Sequence, residues 1–157
     1  MIIARYILLF AVLSCLAGCP IPTHGMSRSY FAEKTKPSFE CVKRELMAID
    51  GVSSVRYEVE TGGIPITLHG LEEPDQTHRF SYTYKGISNS NFWFRVNYLG
   101  DTEYVHIAST QNKEAAVSLV QHLRPIILKM ENALESRCGF PGIVEKANES
   151  CDDGICE

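Results

Sequence analysis

The sequence predicts an α+β fold in which a short helix, an antiparallel sheet of about five strands and a long helix follow one another. Apolar residues recur at helical spacing in two stretches, one after Ser38 and one from about Asn112. Between them, apolar and polar residues alternate in several segments, which is typical of strands with one solvated face. Because turn residues join these segments, we expect an antiparallel meander with both helices packed on one of its faces.

The first helix is predicted to begin after Ser38 and to end at Gly51. A serine is a favoured N-cap, and a glycine is favoured just past a helix end. Cys41 flanks the apolar face of this helix. The residues of that face, at spacings of three and four, are Phe39, Val42, Leu46 and Ile49.

Alternation of apolar and polar side chains predicts five strands. They cover approximately residues 55–59, 64–68, 78–84, 92–98 and 103–107. Pro65 has no N–H to donate to a ladder, so we expect the second of these strands at an edge of the sheet. The strands are short, consecutive and joined by turns, which favours a meander.

A continuous apolar stripe predicts that the last helix is the longest. Pro125 interrupts the stripe, and its missing N–H and its ring should kink the helix near Gln121. Cys138 follows one turn after the stripe, on or beside the buried face. The stripe consists of Ala116, Leu119, Val120, Leu123, Ile127, Met130 and Leu134.

The first 18 residues have the pattern of an export signal. Arg5 is the only charge, and an uncharged, mainly apolar run follows from Tyr6 to Gly18. A helix needs about 20 residues to cross a bilayer, so this run is too short to be a permanent anchor. A positive start, a short apolar run and small residues at its end indicate a signal peptide that is removed after export.

The residues Leu16-Ala17-Gly18-Cys19 resemble the lipobox of bacterial lipoproteins. This resemblance implies cleavage between Gly18 and Cys19 and attachment of fatty acyl chains, such as palmitate, at Cys19. The mature protein would then be anchored by lipid in the bacterial cell envelope and would face the periplasm. By the same resemblance, proline rather than aspartate at position 20 favours the outer membrane over the inner one.

Four parts of the chain follow from these features. Residues 1–18 are the signal peptide, and residues 19–36 are the lipidated cysteine and a flexible tether, because two prolines, a glycine and polar residues occur there without periodicity. Residues 37–142 form the α+β domain. Residues 143–157 are an acidic, cysteine-containing tail that we expect to be solvated.

Four of the six cysteines remain once Cys15 leaves with the signal and Cys19 carries lipid. An even number in an exported chain indicates disulfide bonds, because the periplasm is oxidising. Three connectivities are possible. We favour Cys41–Cys138, which meet if both helices lie on the same face of the sheet, and Cys151–Cys156, which enclose a turn-forming Asp-Gly.

The charge of the chain excludes some partners. The net charge is −4, so there is no electrostatic reason to bind nucleic acid. No basic patch is available for anionic lipid headgroups, so membrane affinity must come from the lipid on Cys19. We expect no cofactor, and another envelope protein or a glycan as the partner.

No motif predicts catalysis or a metal site. Neither a Gly-x-Ser-x-Gly nor a Cys-x-x-Cys motif occurs. Asp152 and Asp153 lack the spacing of a calcium-binding loop. The histidines also lack the spacing of a known metal motif; they include His69, His78, His106 and His122. We therefore expect a protein that is not an enzyme.

Aromatic residues crowd three successive strands and suggest a binding face. Trp93 lies on the opposite face of its strand from Phe92 and Phe94, and Tyr82 and Tyr84 belong to the preceding strand. Exposed aromatic patches mark interaction sites, so Trp93, Tyr82 and Tyr84 are candidates to bind peptide, glycan or protein. The alternatives are a covered Trp93, a periplasmic enzyme with a histidine site assembled by the fold, or a secreted inhibitor or effector.

Overall fold

Six antiparallel strands form one sheet in a computed structural model that describes residues 23–62, 75–152, 155 and 156. The strand order is β2-β3-β4-β5-β1-β6, so β2 to β5 form a meander and β1 and β6 extend it at one edge. The strands are β1 (His24–Ala32), β2 (Val52–Thr61), β3 (Gln76–Tyr84), β4 (Ile87–Val96), β5 (Thr102–Thr110) and β6 (Asn148–Cys151).

Three helices accompany the sheet in the described part of the chain: α1 (Phe39–Met47), α2 (Lys113–Arg137) and α3 (Ile143–Lys146). The side chain of Ser38 caps α1 by accepting a hydrogen bond from the Cys41 N–H. Asn112 caps α2 in the same way, since its side-chain oxygen accepts from two backbone N–H groups of the first turn. Both caps satisfy donors that have no partner inside the helix.

The helices pack on one face of the sheet, where the hydrophobic core lies. Phe80, Phe92 and Phe94 from the strands join Leu46 of α1 and Leu134 of α2 in the larger of two core clusters. The second cluster lies under the first half of α2 and includes Ile155, which is fully buried. The α+β class, the antiparallel sheet and the long C-terminal helix are therefore confirmed. Pro125 lies inside that helix, and the kink near Gln121 stays a prediction.

Within the described residues, strand β1 precedes the helix that follows Ser38, so the predicted order, with an N-terminal helix as the first element, is not supported. Helix α1 is the second element, after β1. The flexible tether predicted for residues 19–36 is wrong over His24–Ala32, because β1 lies inside the sheet between β5 and β6. Gly25 permits this close pairing, because a Cβ atom there would overlap the carbonyl oxygen of Ala108.

The solvated tail predicted for residues 143–157 is also wrong. Helix α3 and strand β6 lie in this segment, and Ile155 is part of the core. The strand predicted at residues 64–68 lies outside the described residues.

Both predicted disulfide bonds are present. Cys41–Cys138 joins α1 to the end of α2, and Cys151–Cys156 closes a small loop at the end of the chain. The first bond brings together residues 97 positions apart, as expected if both helices pack on one face.

Candidate functional site

The face of the sheet opposite the helices, here called the open face, is the candidate binding surface. Side chains of odd-numbered residues in β3 and β5 point to this face, as do Asn91, Trp93 and Arg95 of β4, and none of its described side chains is buried. Pairing between strands arranges these residues in rows across the sheet. The central row contains Ser29, Val105, Trp93, Arg79 and Glu58.

Trp93 lies near the middle of the open face and is partly exposed. Its cross-strand neighbours are Val105 on β5 and Arg79 on β3. Asn91 and Ile107 lie in the next row, so the tryptophan and two aliphatic side chains form an apolar centre with polar groups around it. An aromatic centre with a polar rim is typical of an interaction surface.

The predicted site residues do not form one surface. Tyr82 is only 2% exposed and Tyr84 packs against the core, both on the helix side of the sheet. The register explains the error: Trp93 pairs with Arg79 while Phe92 pairs with Phe80, so even-numbered residues of both strands face the core. Phe80 and Tyr82 are two positions apart in one strand, so the sequence alone already placed both side chains on the same face. The candidate site therefore keeps Trp93 and loses both tyrosines.

Ion pairs on the open face are exposed. Arg79 lies 3.5 Å from Glu60, and Arg95 lies 3.2 Å from Asp75. Exposed pairs of this kind stabilise a fold by only about 0–1 kcal/mol. These arginines can therefore exchange their partners for a ligand at little cost.

Two depressions lie at the end of the open face and share Phe31 and Glu103. Phe31 and Tyr98 are large side chains that are 57% and 54% exposed. The first depression, of about 460 Å³, is lined by Phe31, Asp75, Arg95, Asn97, Tyr98, Asp101 and Glu103. The second, of about 420 Å³, is lined by Ser29, Tyr30, Phe31, Glu103, Lys146 and Asn148.

The candidate histidines occupy different environments. His106 is buried and hydrogen-bonded to the hydroxyl groups of Tyr82 and Tyr104, and burial lowers its pKa to about 3. His78 is hydrogen-bonded to the Tyr57 hydroxyl, and burial lowers its pKa, as does Lys36 to a smaller extent.

These contacts are those of histidines that satisfy polar groups inside a core. Phe39 stacks on His78 with ring centroids 3.6 Å apart. His122 is exposed on α2, and His69 lies outside the described residues. Of the described candidates, His78, His106 and His122 therefore lie on different elements, and we assign none of them a functional role.

A buried charge network joins β1, α2 and β6, and it was missed at the level of sequence. Arg28 donates from Nε to both carboxylate oxygens of Glu131, at 2.8 and 3.0 Å, and from Nη1 to Glu149 at 2.7 Å. Arg124 donates to the other oxygen of Glu149 at 2.7 Å. One signal was visible: Glu131 has the phase of the apolar stripe of α2, where an unpaired carboxylate would be costly.

One group of potential metal ligands occurs in the described part of the chain. Ligand atoms of Glu149, Cys151 and Cys156 all lie within 4.8 Å of one another. Because the two cysteines form a disulfide bond, they offer no thiolate. The group is therefore better explained as a disulfide packed beside the charge network.

The lipobox residues, including Gly18 and Cys19, lie outside the described residues. Within the described ranges, no helix is both long enough and apolar enough to span a membrane. Comparisons of the chain with protein-family models, curated proteins and solved structures found no match.

Proposed function

We propose that the protein is a lipid-anchored lipoprotein of the bacterial cell envelope, without catalytic activity, that binds another envelope component through its open face. The proposed location in the cell envelope rests on the resemblance of Leu16-Ala17-Gly18-Cys19 to a lipobox. Lipid on Cys19 would hold the protein at a membrane, facing the periplasm, and the residue at position 20 favours the outer membrane. Two disulfide bonds are consistent with such an oxidising compartment.

The observation that carries the binding role is the partly exposed Trp93 at the centre of a sheet face that no described element buries. Tryptophan is enriched among the residues that dominate binding energy at interfaces. The surrounding side chains, Asn91, Arg79 and Arg95, offer hydrogen-bond donors to a protein or a glycan. This combination supports a binding or accessory subunit.

Crosslinking in intact envelopes tests the binding role. We expect Trp93→Ala to reduce recovery of the crosslinked partner at least about tenfold, the loss expected when one dominant contact of about 1.4 kcal/mol or more is removed. The matched control is Met47→Ala, which removes an exposed side chain on the helix side. Urea denaturation of both variants separates loss of binding from loss of folding. Equal recovery from folded Trp93→Ala and wild type contradicts the binding role.

The same envelopes test the anchor. With radioactive palmitate, Cys19→Ala should lose the label and leave the membrane fraction, since two or three acyl chains supply the anchoring free energy. Cys15→Ala changes the other cysteine of the N-terminal region and should keep both properties. Labelled, membrane-bound Cys19→Ala protein would show that the anchor lies elsewhere.

A further inference from the structure

Strand β1 extends beyond its neighbour β6 and leaves a notch in the edge of the sheet. β6 pairs with Met26–Ser29 only, whereas β1 continues to Ala32 and pairs with β5 along its whole length. Tyr30, Phe31 and Ala32 therefore have no strand on the β6 side among the described residues. Such an unpaired edge is a template for another extended chain.

The direction of the main-chain groups follows from Gly25. Its carbonyl oxygen accepts a hydrogen bond from the Asp152 N–H, and its own N–H donates to the Asp152 carboxylate, so both groups point to the β6 side. The register of β1 with β5 is unbroken from His24 to Ala32. Main-chain direction alternates along a strand, so the N–H and C=O of Phe31 point to the same side, into the notch.

Two charged side chains beside the notch have no ion-pair partner among the described residues and can interact with a ligand. Glu103 lies between Phe31 on β1 and Arg95 on β4. Because Arg95 pairs with Asp75 at 3.2 Å, Glu103 has no hydrogen bond or ion pair with any described residue. Lys146 borders the same depression from α3 and is also unpaired within the described ranges. The adjoining depression adds Asp75 and Asp101 against a single arginine, Arg95. The surroundings of Phe31 and Glu103 thus carry an excess of negative charge.

This charge favours one basic side chain in the ligand. A residue placed opposite Phe31 in an added strand has its side chain on the same face as the Phe31 ring, two strand spacings or about 10 Å from Glu103. An arginine spans that distance across the ring, where its guanidinium gains a cation–π interaction and then meets the Glu103 carboxylate. Lys146 at the other side disfavours further basic residues.

We propose that the notch binds an extended segment of a partner protein, which adds a short strand to β1 beyond the end of β6 and places an arginine over Phe31 against Glu103. Main-chain hydrogen bonds to Phe31 supply affinity, and the arginine supplies specificity. This inference rests on the proposed function in that the notch borders the open face. It commits to a peptide rather than a glycan, because the notch presents a main-chain donor and acceptor to its ligand.

Binding of defined peptides to the purified, detergent-solubilised full chain tests the proposal by fluorescence anisotropy. The probe is fluorescein-labelled Thr-Val-Arg-Val-Thr-amide, and one comparison peptide has glutamate in place of arginine. A second comparison peptide carries an N-methyl group on the arginine nitrogen, which removes the main-chain donor. We expect the first peptide to bind at least about tenfold more tightly than either comparison peptide. Equal binding of the three peptides, or none at about 1 mM, overturns the proposal.

Two substitutions link the binding to the notch. Glu103→Gln should reduce the preference for arginine over glutamate to less than about threefold, whereas the control Glu114→Gln, which changes an exposed carboxylate on α2, should keep it. Unchanged preference in Glu103→Gln also overturns the proposal. Crosslinking with Trp93→Ala tests the open face, and peptide binding by Glu103→Gln tests the notch, so failure of one proposal is distinguishable from failure of the other.

Discussion

Glu131 places a carboxylate inside the apolar stripe of α2, where it is 0% exposed. Arg28 faces it from β1, and the hydrogen bond between them raises the pKa of Arg28. Burial raises the pKa of Glu131, although Arg28 opposes that shift. Charged side chains in a core are tolerated only when they are paired and hydrogen-bonded, so each member of this pair depends on the other.

We predict that Glu131→Ala lowers the free energy of unfolding by about 3–5 kcal/mol, because it leaves the Arg28 charge buried without its main partner. Urea denaturation measures the change. Arg44→Ala is the control, since the side chain of Arg44 is 69% exposed and its pairing with Glu45 should contribute about 0–1 kcal/mol. Joint replacement of Arg28 by Met and Glu131 by Leu should restore most of the loss. A cost below about 1 kcal/mol for Glu131→Ala would contradict a tightly coupled pair.

His106 makes stability depend on pH in a definite direction. Its pKa is about 3 in the folded protein and near its usual 6.5 in the unfolded chain. Between these values the unfolded chain binds one more proton, so this contribution is fully present above pH 6.5 and is lost as the pH falls towards 3. The lowered pKa of His78 acts in the same direction.

We predict that His106→Gln flattens the pH dependence by about 1.4 kcal/mol per pH unit between about pH 4 and 6, the value for one proton. Urea denaturation across this range gives the slope. His122→Gln is the matched control, because it makes the same substitution at an exposed position of α2. If His106→Gln keeps the wild-type slope, His106 is protonated in the folded protein at these pH values.

At the scale of elements, the two disulfide bonds enclose loops of very different length. Cys41–Cys138 spans 97 positions and Cys151–Cys156 spans 5. In the chain-entropy model, the stabilisation grows with the logarithm of the loop length. We predict that replacing both cysteines of the first bond by serine costs about 4–5 kcal/mol, against about 2 kcal/mol for the second.

Urea denaturation of the two double variants checks this ratio, and non-reducing peptide mapping of the wild type checks the pairing itself. Equal costs for the two bonds would mean that loop closure is not what they contribute. A peptide joining Cys41 to Cys151 or Cys156 would contradict the packing of α1 against the end of α2.

Elements with a strong local pattern were predictable, and those stabilised by distant partners were not. The long helix α2 and strands β3, β4 and β5 show apolar periodicity that needs no knowledge of the fold. Strand β1 was not predicted because the charged Arg28 occupies one of its core-facing positions. Arg28 can be buried there only because it pairs with Glu131, which is 103 positions away in the sequence. Ser27 and Ser29 do alternate with the inward residues Met26, Arg28 and Tyr30, so a weak signal existed.

In the candidate site, too, the feature set by local sequence was predictable and the feature set by tertiary pairing was not. Trp93 was correctly placed on the face opposite Phe92, because alternation within one strand is local information. The notch beside Phe31 was not predictable, since it depends on where β6 ends relative to β1. That relation between the two ends of the chain is set by tertiary pairing alone.

At the scale of the whole molecule, the two faces of the sheet differ in the interactions that stabilise them. The helix side is held by the core, the Cys41–Cys138 bond and the charge network of Arg28 and Glu131. The open face has exposed ion pairs and a partly exposed tryptophan. A sheet supported on one side keeps its other side in a fixed shape, which lowers the ordering cost of binding there.

If the proposed lipid anchor on Cys19 exists, the start of β1 at His24 limits the distance between the domain and the membrane. In the proposed lipoprotein, the chain from Cys19 to His24 spans at most about 18 Å, whatever path it takes. β1 itself, with nine residues, is about 26 Å long. The His24 end is therefore kept close to the lipid surface, and the end with Phe31 is the one that can reach outward. A partner approaching from across the periplasm would meet the notch first.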